Sequence, residues 1–549
     1  MELRDVRVLI LSAGKIDNEL SKIFGEIPSG LIPINGKPVI FKIIDKLLNE
    51  GIKKISVSTG YKKEILEEIV NEQYKNLCEL EFIPVDHNTP PGNSIKTSVD
   101  LCKEEKLLII LGDTLFDNNI NELISKKKNV VLISKKFSQT KNWCVITKKD
   151  ESVDKIFDKK QLEDKEEYHA LVGCYFFNNV NFLKNILSEF RGEERLEISS
   201  IMEKIKKKEK FEAVNAKKWL DVGHVENYYS TKQFVLKTRY FNKLQFDESG
   251  DNVIKTSTNI EKLIDEVNWY KNLPKNISNL VPRITDSSTG NNPFIKLEYI
   301  KHPTLSELWL YSEFSTRFWK DTIKKIFDII MKFREHSQDV TKQEYDSIYF
   351  KKTVNRITEL VNENEIFASI FEYDFIIIND KKFKNWNLMK SEIEKRIDTM
   401  FDDCDNCFVH GDLYFSNILY DVENDHFKLI DPRGKWGDSN SGDIKYDIAK
   451  IRHSVVGGFD TIINGLYSAK YLDNNKIEYK VFRRKNNREI SEELDKEIKE
   501  NWNLDEIKII EGLLFISMLP LHSDNFERQL ALFCVGIERL NEIFGEIKY

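Results

Sequence analysis

The stretch FVHGDLYFSNILYDVENDHFKLIDPRG, residues 408–434, sets Asp412, Asn417 and Asp431 among apolar residues, with His410 just ahead of them. A carboxylate that can take a proton, a neutral amide oxygen and a second carboxylate form a set suited to phosphate chemistry. Phosphoryl transfer asks a protein mainly for positioning and charge neutralisation. Amide and carboxylate oxygens are hard ligands of the kind Mg²⁺ takes. Another pair of carboxylates lies far upstream. Asp113 follows an apolar run in IILGDTLFD, and Asp221 sits in WLDVGHVENYY.

These groups must be positioned by two different kinds of chain. From Val6 to about Gln233 short apolar strands (VRVLILS, KKISVSTG, LEFIPV, KLLIILGD, NVVLISK) alternate with helical segments such as PVIFKIIDKLLNEG and KKEILEEIVNEQY. That alternation predicts an α/β domain with a mainly parallel sheet, whose ligands bind beyond the carboxyl ends of the strands. After it the texture changes. NKLQFDESGDNVIKTST predicts a hairpin, NIEKLIDEVNWYKNLP a helix and FIKLEYI another strand. Long amphipathic helices are expected over most of 315–398 and again from Ile490, and ILYDVENDHFKLI reads as a hairpin. The boundary is placed near 238: one domain over 1–238, and a second over 239–549 with a small lobe to about 302 and a helical lobe beyond.

Composition narrows the partners. Lys+Arg total 83 against Asp+Glu 90, so no strongly basic face points to nucleic acid. The longest apolar runs are too short to span a membrane, and the N-terminus carries no cleavable-signal pattern. Seven scattered cysteines predict no disulfide framework, and the lone pair Cys404/Cys407 is expected to be two reduced thiols. The expectation is a cytoplasmic protein; its oligomeric state is left open, a homo-oligomer included.

The second domain resembles the aminoglycoside phosphotransferase and choline kinase group, relatives of protein kinases. The spacing of Asp412 and Asn417 is that of H-R-D-x-x-x-x-N, and Asp431 stands where the Asp of D-F-G would be. The resemblance implies a bilobal kinase-like fold, ATP as phosphoryl donor, Asp412 as the base for the acceptor hydroxyl, and Asn417 and Asp431 as Mg²⁺ ligands. It further implies that Lys255 in NVIKTS pairs with Glu266 at the nucleotide, and that Asp447 in GDIKYDIAKI braces the catalytic loop. The glycine loop is reduced to DESGDN. Arg433 and Trp436, in IDPRGKWGD, are candidate substrate contacts.

The first domain resembles the sugar-phosphate nucleotidyltransferases, phosphocholine cytidylyltransferases included. The matching pieces are VLILSAG (8–14), PSGLIPINGKPVI (28–40), PPGNSIKTSV (90–99), IILGDTLFD (109–117), HALVGCYFF (169–177) and WLDVGHVENYY (219–229). The resemblance implies a Rossmann-like fold in which a phosphate monoester attacks the α-phosphorus of a nucleoside triphosphate. Asp113 and Asp221 would share a Mg²⁺, and Ala13, Gly14, Asn93 and Ser94 would line the nucleotide or substrate. Two departures stand out. SAGKIDNEL lacks the family's second Gly and its Arg, and Ser29 replaces the lysine of Pro-Lys-x-Leu-x-Pro. Lys15, Lys22 or Lys37 are the candidate replacements.

A kinase makes a phosphate monoester and a nucleotidyltransferase consumes one. The expectation is therefore a bifunctional enzyme that phosphorylates a small hydroxylated metabolite with ATP and then activates it, with CTP, as a precursor of surface or capsular polysaccharide. The alternatives are a choline kinase joined to a phosphocholine cytidylyltransferase, and a kinase carrying a degenerate nucleotidyltransferase module. A quaternary ammonium would want an aromatic cage, for which Tyr414, Trp386 and Trp436 are available.

Overall fold

The structure is a computed structural model describing residues 5–545 except 136, 138, 164, 165, 191–194, 236–241, 438 and 474. It divides into two compact units, Met1–Val235 with Tyr311–Glu313, and Leu236–Leu310 with Phe314–Tyr549. The boundary expected at 238 lies outside the described residues.

The first unit is built on a nine-stranded sheet. Val6–Leu11 is buried along its whole length because it runs parallel between Lys54–Thr59 and Lys106–Leu111. That explains its unbroken apolar sequence, the pattern of a strand covered on both faces. Helix Val39–Asn49 buries Val39, Ile40, Ile43, Ile44 and Leu47, the spacing of one helical stripe. The sheet is mixed rather than mainly parallel, which corrects the expectation. His169–Phe177 runs antiparallel between Lys106–Leu111 and Asn129–Ser134, and Cys144–Lys149 with Ser152–Asp158 forms an antiparallel hairpin at the edge. Strand–helix alternation implies parallel neighbours only while helices make the crossovers. Between Ser134 and His169 the chain uses that hairpin instead.

The second unit opens with a four-stranded antiparallel sheet: Asn242–Phe246, Asn252–Ser257, Phe294–Glu298 and Ile284–Ser288, in that order across it. Helix Ile260–Lys271 follows the first hairpin. The remainder is largely helical, with Thr316–Arg334, Lys352–Glu363, Trp386–Met400, Lys445–Val455, Asn487–Asn501, Leu504–Ser517 and Phe526–Phe544 its longer members. The expected helical run over 315–398 is broken by a hairpin, Phe375–Ile378 with Lys381–Lys384, which turns at Asn379 and Asp380 with φ of 47° and 62°. All seven cysteines are free, Cys404 and Cys407 among them. Among the described residues no helix is long and apolar enough to cross a membrane.

Candidate active sites

In the first unit, strand Lys106–Leu111 delivers Gly112 and Asp113 to a turn, and the chain resumes as the short strand Thr114–Phe116. This strand pairs antiparallel with Trp219–Asp221, so Asp221 lies opposite Thr114. The pairing is fixed twice more: Trp219 Nε1 donates to Thr114 Oγ1 at 3.0 Å, and Thr114 Oγ1 donates to Val172 O at 2.9 Å. The two expected carboxylates are thereby brought together around Gly223. A Cβ at that position would lie 3.0 Å from Asp113 Oδ2 and 3.5 Å from Asp221 Oδ1. Burial, and then the neighbouring Asp221, push the Asp113 carboxyl up to about 6. Two carboxylates facing one small space are an arrangement that a cation relieves.

The sequence had not singled out the groups around them. His224 Nδ1 lies 3.1 Å from Asp221 Oδ2, and Asn227 Nδ2 donates to the same oxygen at 2.7 Å. Asp221 thereby raises the His224 imidazole. The Trp143 ring stands 4.8 Å from Trp219 and 5.5 Å from His224. His224 and Asn227 were in view, three and six residues past Asp221; Trp143 carried no signal.

Ala13 and Gly14 form the turn after the first strand. Ala13 O accepts from Tyr61 N at 2.8 Å and Gly14 O from Ser29 N at 3.0 Å, while the side-chain position of Gly14 faces open space. Asn93 and Ser94 lie in the first turn of helix Pro91–Leu101; Asn93 Oδ1 accepts from Leu196 N at 2.7 Å and Ser94 is buried. Of the candidate replacement lysines, Lys22 pairs with Glu19 at 2.9 Å and Lys37 with Asp45 at 3.2 Å. Lys15 is exposed beside Gly14. Among the described residues no group of three or more His, Cys, Asp or Glu could hold a metal ion.

In the second unit, Ile418–Asp421 and His426–Leu429 form the expected hairpin, with Asn417 and Asp431 just outside its two ends. Ile430 N donates to Asn417 O at 3.0 Å and carries the pairing to the residue before Asp431. Asn417 Nδ2 donates to Asp412 O at 2.9 Å and Asp412 Oδ2 at 3.3 Å. Its Oδ1 is buried with no hydrogen-bond partner, the mark of an atom waiting for a donor or a cation. Asp431 holds φ of 53°, a left-handed conformation unusual for a residue other than glycine.

Lys255 Nζ donates to both oxygens of Glu266, at 2.8 and 2.7 Å, and to Asp431 Oδ1 at 2.9 Å. Although burial works against its charge, Asp431 and Glu266 hold the Lys255 ammonium above its ordinary value. Asp447 braces the loop: His410 N and Gly411 N donate to its two oxygens, each at 2.8 Å. His410 is pushed down to about 4 by burial, and its Nε2 lies 3.1 Å from Ile430 O. The neutral ring thus bridges the loop and the end of the hairpin.

Asp412 Oδ1 lies 2.9 Å from Lys450 Nζ, a partner the sequence had not singled out although it stands three residues past Asp447. Arg433 Nη1 donates to Tyr446 OH at 3.2 Å. Trp436 is different from what was expected. It is 1% exposed, its ring lies against Gly442 and meets Tyr345 and Tyr349 edge-on, and it belongs to the core. Trp386 is likewise buried, at 3%.

Residues 8–238 match the family model described as Nucleotidyl transferase. Among the relatives, Bifunctional protein GlmU of Methanococcus maripaludis (strain C5) is 30% identical over 220 residues, 39% of this chain and 51% of that protein. D-glycero-alpha-D-manno-heptose 1-phosphate guanylyltransferase of Campylobacter jejuni is 23% identical over 221 residues, 40% of this chain and 96% of that one. The match thus spans about half the length of that GlmU relative and nearly all of the guanylyltransferase. Among solved structures, HddC from Yersinia pseudotuberculosis is 20% identical with a TM-score of 0.35, covering 42% of this chain and 98% of its own. Residues 8–238, with their paired strands and converging carboxylates, form a nucleotidyltransferase domain related to the sugar-phosphate nucleotidyltransferases.

Proposed function

We propose that the chain is a bifunctional transferase that phosphorylates a small hydroxylated metabolite with ATP and joins the resulting phosphate ester to a nucleotidyl group from CTP. The product would be an activated precursor for a surface polysaccharide. The nucleotidyl half is carried by the convergence of Asp113 and Asp221 around Gly223 inside the family-matched segment. These two carboxylates would hold Mg²⁺, which when bound neutralises triphosphate charge. Asn227 and His224 orient Asp221 from one side, and the Thr114 strand fixes its backbone from the other. The open face at Gly14 leaves room for a nucleoside. The relatives' names span heptose and glucose 1-phosphates and both guanylyl and uridylyl transfer. Sugar 1-phosphates are therefore the first esters to offer, and the choice of base is to be read from a panel of triphosphates.

The kinase half is carried by Lys255, which bridges Glu266 and Asp431. The unpartnered Asn417 Oδ1 and Asp431 would hold Mg²⁺. Asp412, with one oxygen held by Lys450, takes the acceptor proton. The hydroxyl oxygen then bonds to the γ-phosphorus as the bond to ADP breaks.

Two assays test the two halves: pyrophosphate release from each nucleoside triphosphate with sugar 1-phosphates and other phosphate esters, and ADP release from ATP with a panel of alcohols. Activity in both is expected. A protein that never releases pyrophosphate would reduce the first domain to a binding module. One that never releases ADP would remove the kinase step.

A further inference from the structure

Four basic side chains gather around Tyr446, a residue that itself feels the charge of Asp412. Lys352 and Arg356 lie one turn apart on helix Lys352–Glu363, directly after a π-helical turn at Ser347–Lys351. Arg433 comes from the loop after Asp431, and Lys450 from helix Lys445–Val455. Their common neighbour is Tyr446, one turn before Lys450. Lys352 Nζ and Arg433 Nη1 both donate to its hydroxyl, at 3.3 and 3.2 Å, and Lys352 also stands 5.0 Å from the ring centre. Lys450 is held by Asp412. Lys352, Arg356 and Arg433 have no carboxylate ion pair among the described residues: Arg356 donates to Ser517 O at 2.8 Å, and Arg433 Nε to Lys435 O at 3.1 Å. Glu359, the nearest acid on the Arg356 helix, is exposed.

Half-buried like charges without a counter-ion are costly. The cost is visible in the groups themselves. Burial, together with Arg433 and Arg356, pushes Lys352 down to about 8, and the cations pull the Tyr446 phenol down to about 7 against its burial. Such a cluster has no carboxylate of its own among the described residues, and guanidinium groups bind oxyanions through paired hydrogen bonds. A neutral polyol would leave the charges uncompensated, and a quaternary ammonium would be repelled.

We infer that the acceptor of the proposed kinase carries, besides its reacting hydroxyl, an oxyanion (carboxylate or phosphate) that Lys352, Arg356 and Arg433 bind beside Asp412. This rests on the kinase reading of Asp412. In the transfer the acceptor hydroxyl gains the γ-phosphoryl group and gives its proton to Asp412, ADP leaves, and the oxyanion is unchanged.

Matched acceptors test it. ADP release is measured with glycerate against glycerol, gluconate against glucitol, glucuronate against glucose, and glycerol phosphate against glycerol; the last pair separates phosphate from carboxylate. In parallel, protection against thermal unfolding by glycerate and by inorganic phosphate is measured for the wild type, Lys352→Met, Arg433→Gln and Arg433→Lys. The anionic member of a pair is expected to be favoured in kcat/KM. Lys352→Met and Arg433→Gln should raise its KM roughly 30-fold or more, the loss that follows truncating one partner of a desolvated charge contact. Arg433→Lys should keep part of the effect, and the ratio of anionic to neutral kcat/KM should fall in both charge-removing variants. Neutral acceptors used as well as their anionic partners by the wild type would overturn the inference and leave the kinase intact. Anion protection that is lost in Lys352→Met, with no ADP release from any acceptor, would keep the anion site and remove the kinase. Absence of both anion protection and ADP release would remove both.

Discussion

Asp412 is fixed from three directions: Lys450 on one oxygen, the Asn417 amide on the other, and the loop backbone held by Asp447. Asp412→Asn keeps the size of the side chain but turns an NH2 toward one of these two donors, and it cannot take the hydroxyl proton. It should abolish ADP formation while pyrophosphate release from pre-formed phosphate ester continues, and equal loss in both assays would argue against two separate chemistries. Lys352 shows the opposite balance between stability and function. Its ammonium faces Tyr446, Arg433 and Arg356, and its value in the folded protein, about 8, lies below the ordinary 10.5. Folding therefore works against the charged form. The cost is complete below pH 8 and fades as pH rises toward 10.5, where the unfolded chain also loses the proton. Lys352→Met should raise Tm at neutral pH, by about 2–4 °C for each kcal/mol relieved. Calorimetry at pH 7 and pH 10 checks this, since the gain must shrink at the higher pH.

Whole elements decide whether the residues meet. The loop 409–412 turns through Gly411 at φ of 75°, where an added Cβ would lie 2.8 Å from Arg433 Cβ. Asp447 uses both oxygens on its backbone amides. In Asp447→Asn one amide hydrogen would meet an NH2 group and go unsatisfied, at a cost of about 1–3 kcal/mol. ADP formation should fall by at least about tenfold, since misplacing a reacting group is expensive, while pyrophosphate release is unchanged. Unaltered ADP formation would mean the loop holds its shape without the brace. Much of this was legible beforehand. The hairpin 418–429 announced itself by apolar strands around an acidic, Asn-containing turn, and Asp412, Asn417 and Asp431 followed from spacing. The missed parts have physical reasons. Strand direction in the first sheet depends on what covers each crossover, and the 375–384 hairpin is four residues a side, short enough to pass for part of a helix. Lys450 and Tyr446 read as ordinary members of an amphipathic helix until their neighbours from distant segments are known.

At the scale of the molecule, each proposed chemistry draws its groups from its own unit: Asp113, Asp221, His224 and Asn227 from the first, Lys255, Glu266, Asp412, Asn417 and Asp431 from the second. Two disabled proteins should therefore complement each other. Asp221→Ala removes one of the two carboxylates at Gly223 and should cost at least about 100-fold in pyrophosphate release, the lower end for losing one electrostatic stabiliser. It should leave ADP formation alone. Asp412→Asn has the reverse defect. Offered an acceptor alcohol, ATP and CTP, neither protein alone should make the nucleotide-activated product. Mixed, they should make it after a lag while the phosphate ester accumulates in solution, and the lag should shorten as the Asp221→Ala protein is increased, because that partner supplies the ester. A mixture that stays inert, although each variant retains its surviving half-reaction, would mean that the ester never leaves the chain that makes it, and the two halves would have to be treated as one catalytic device.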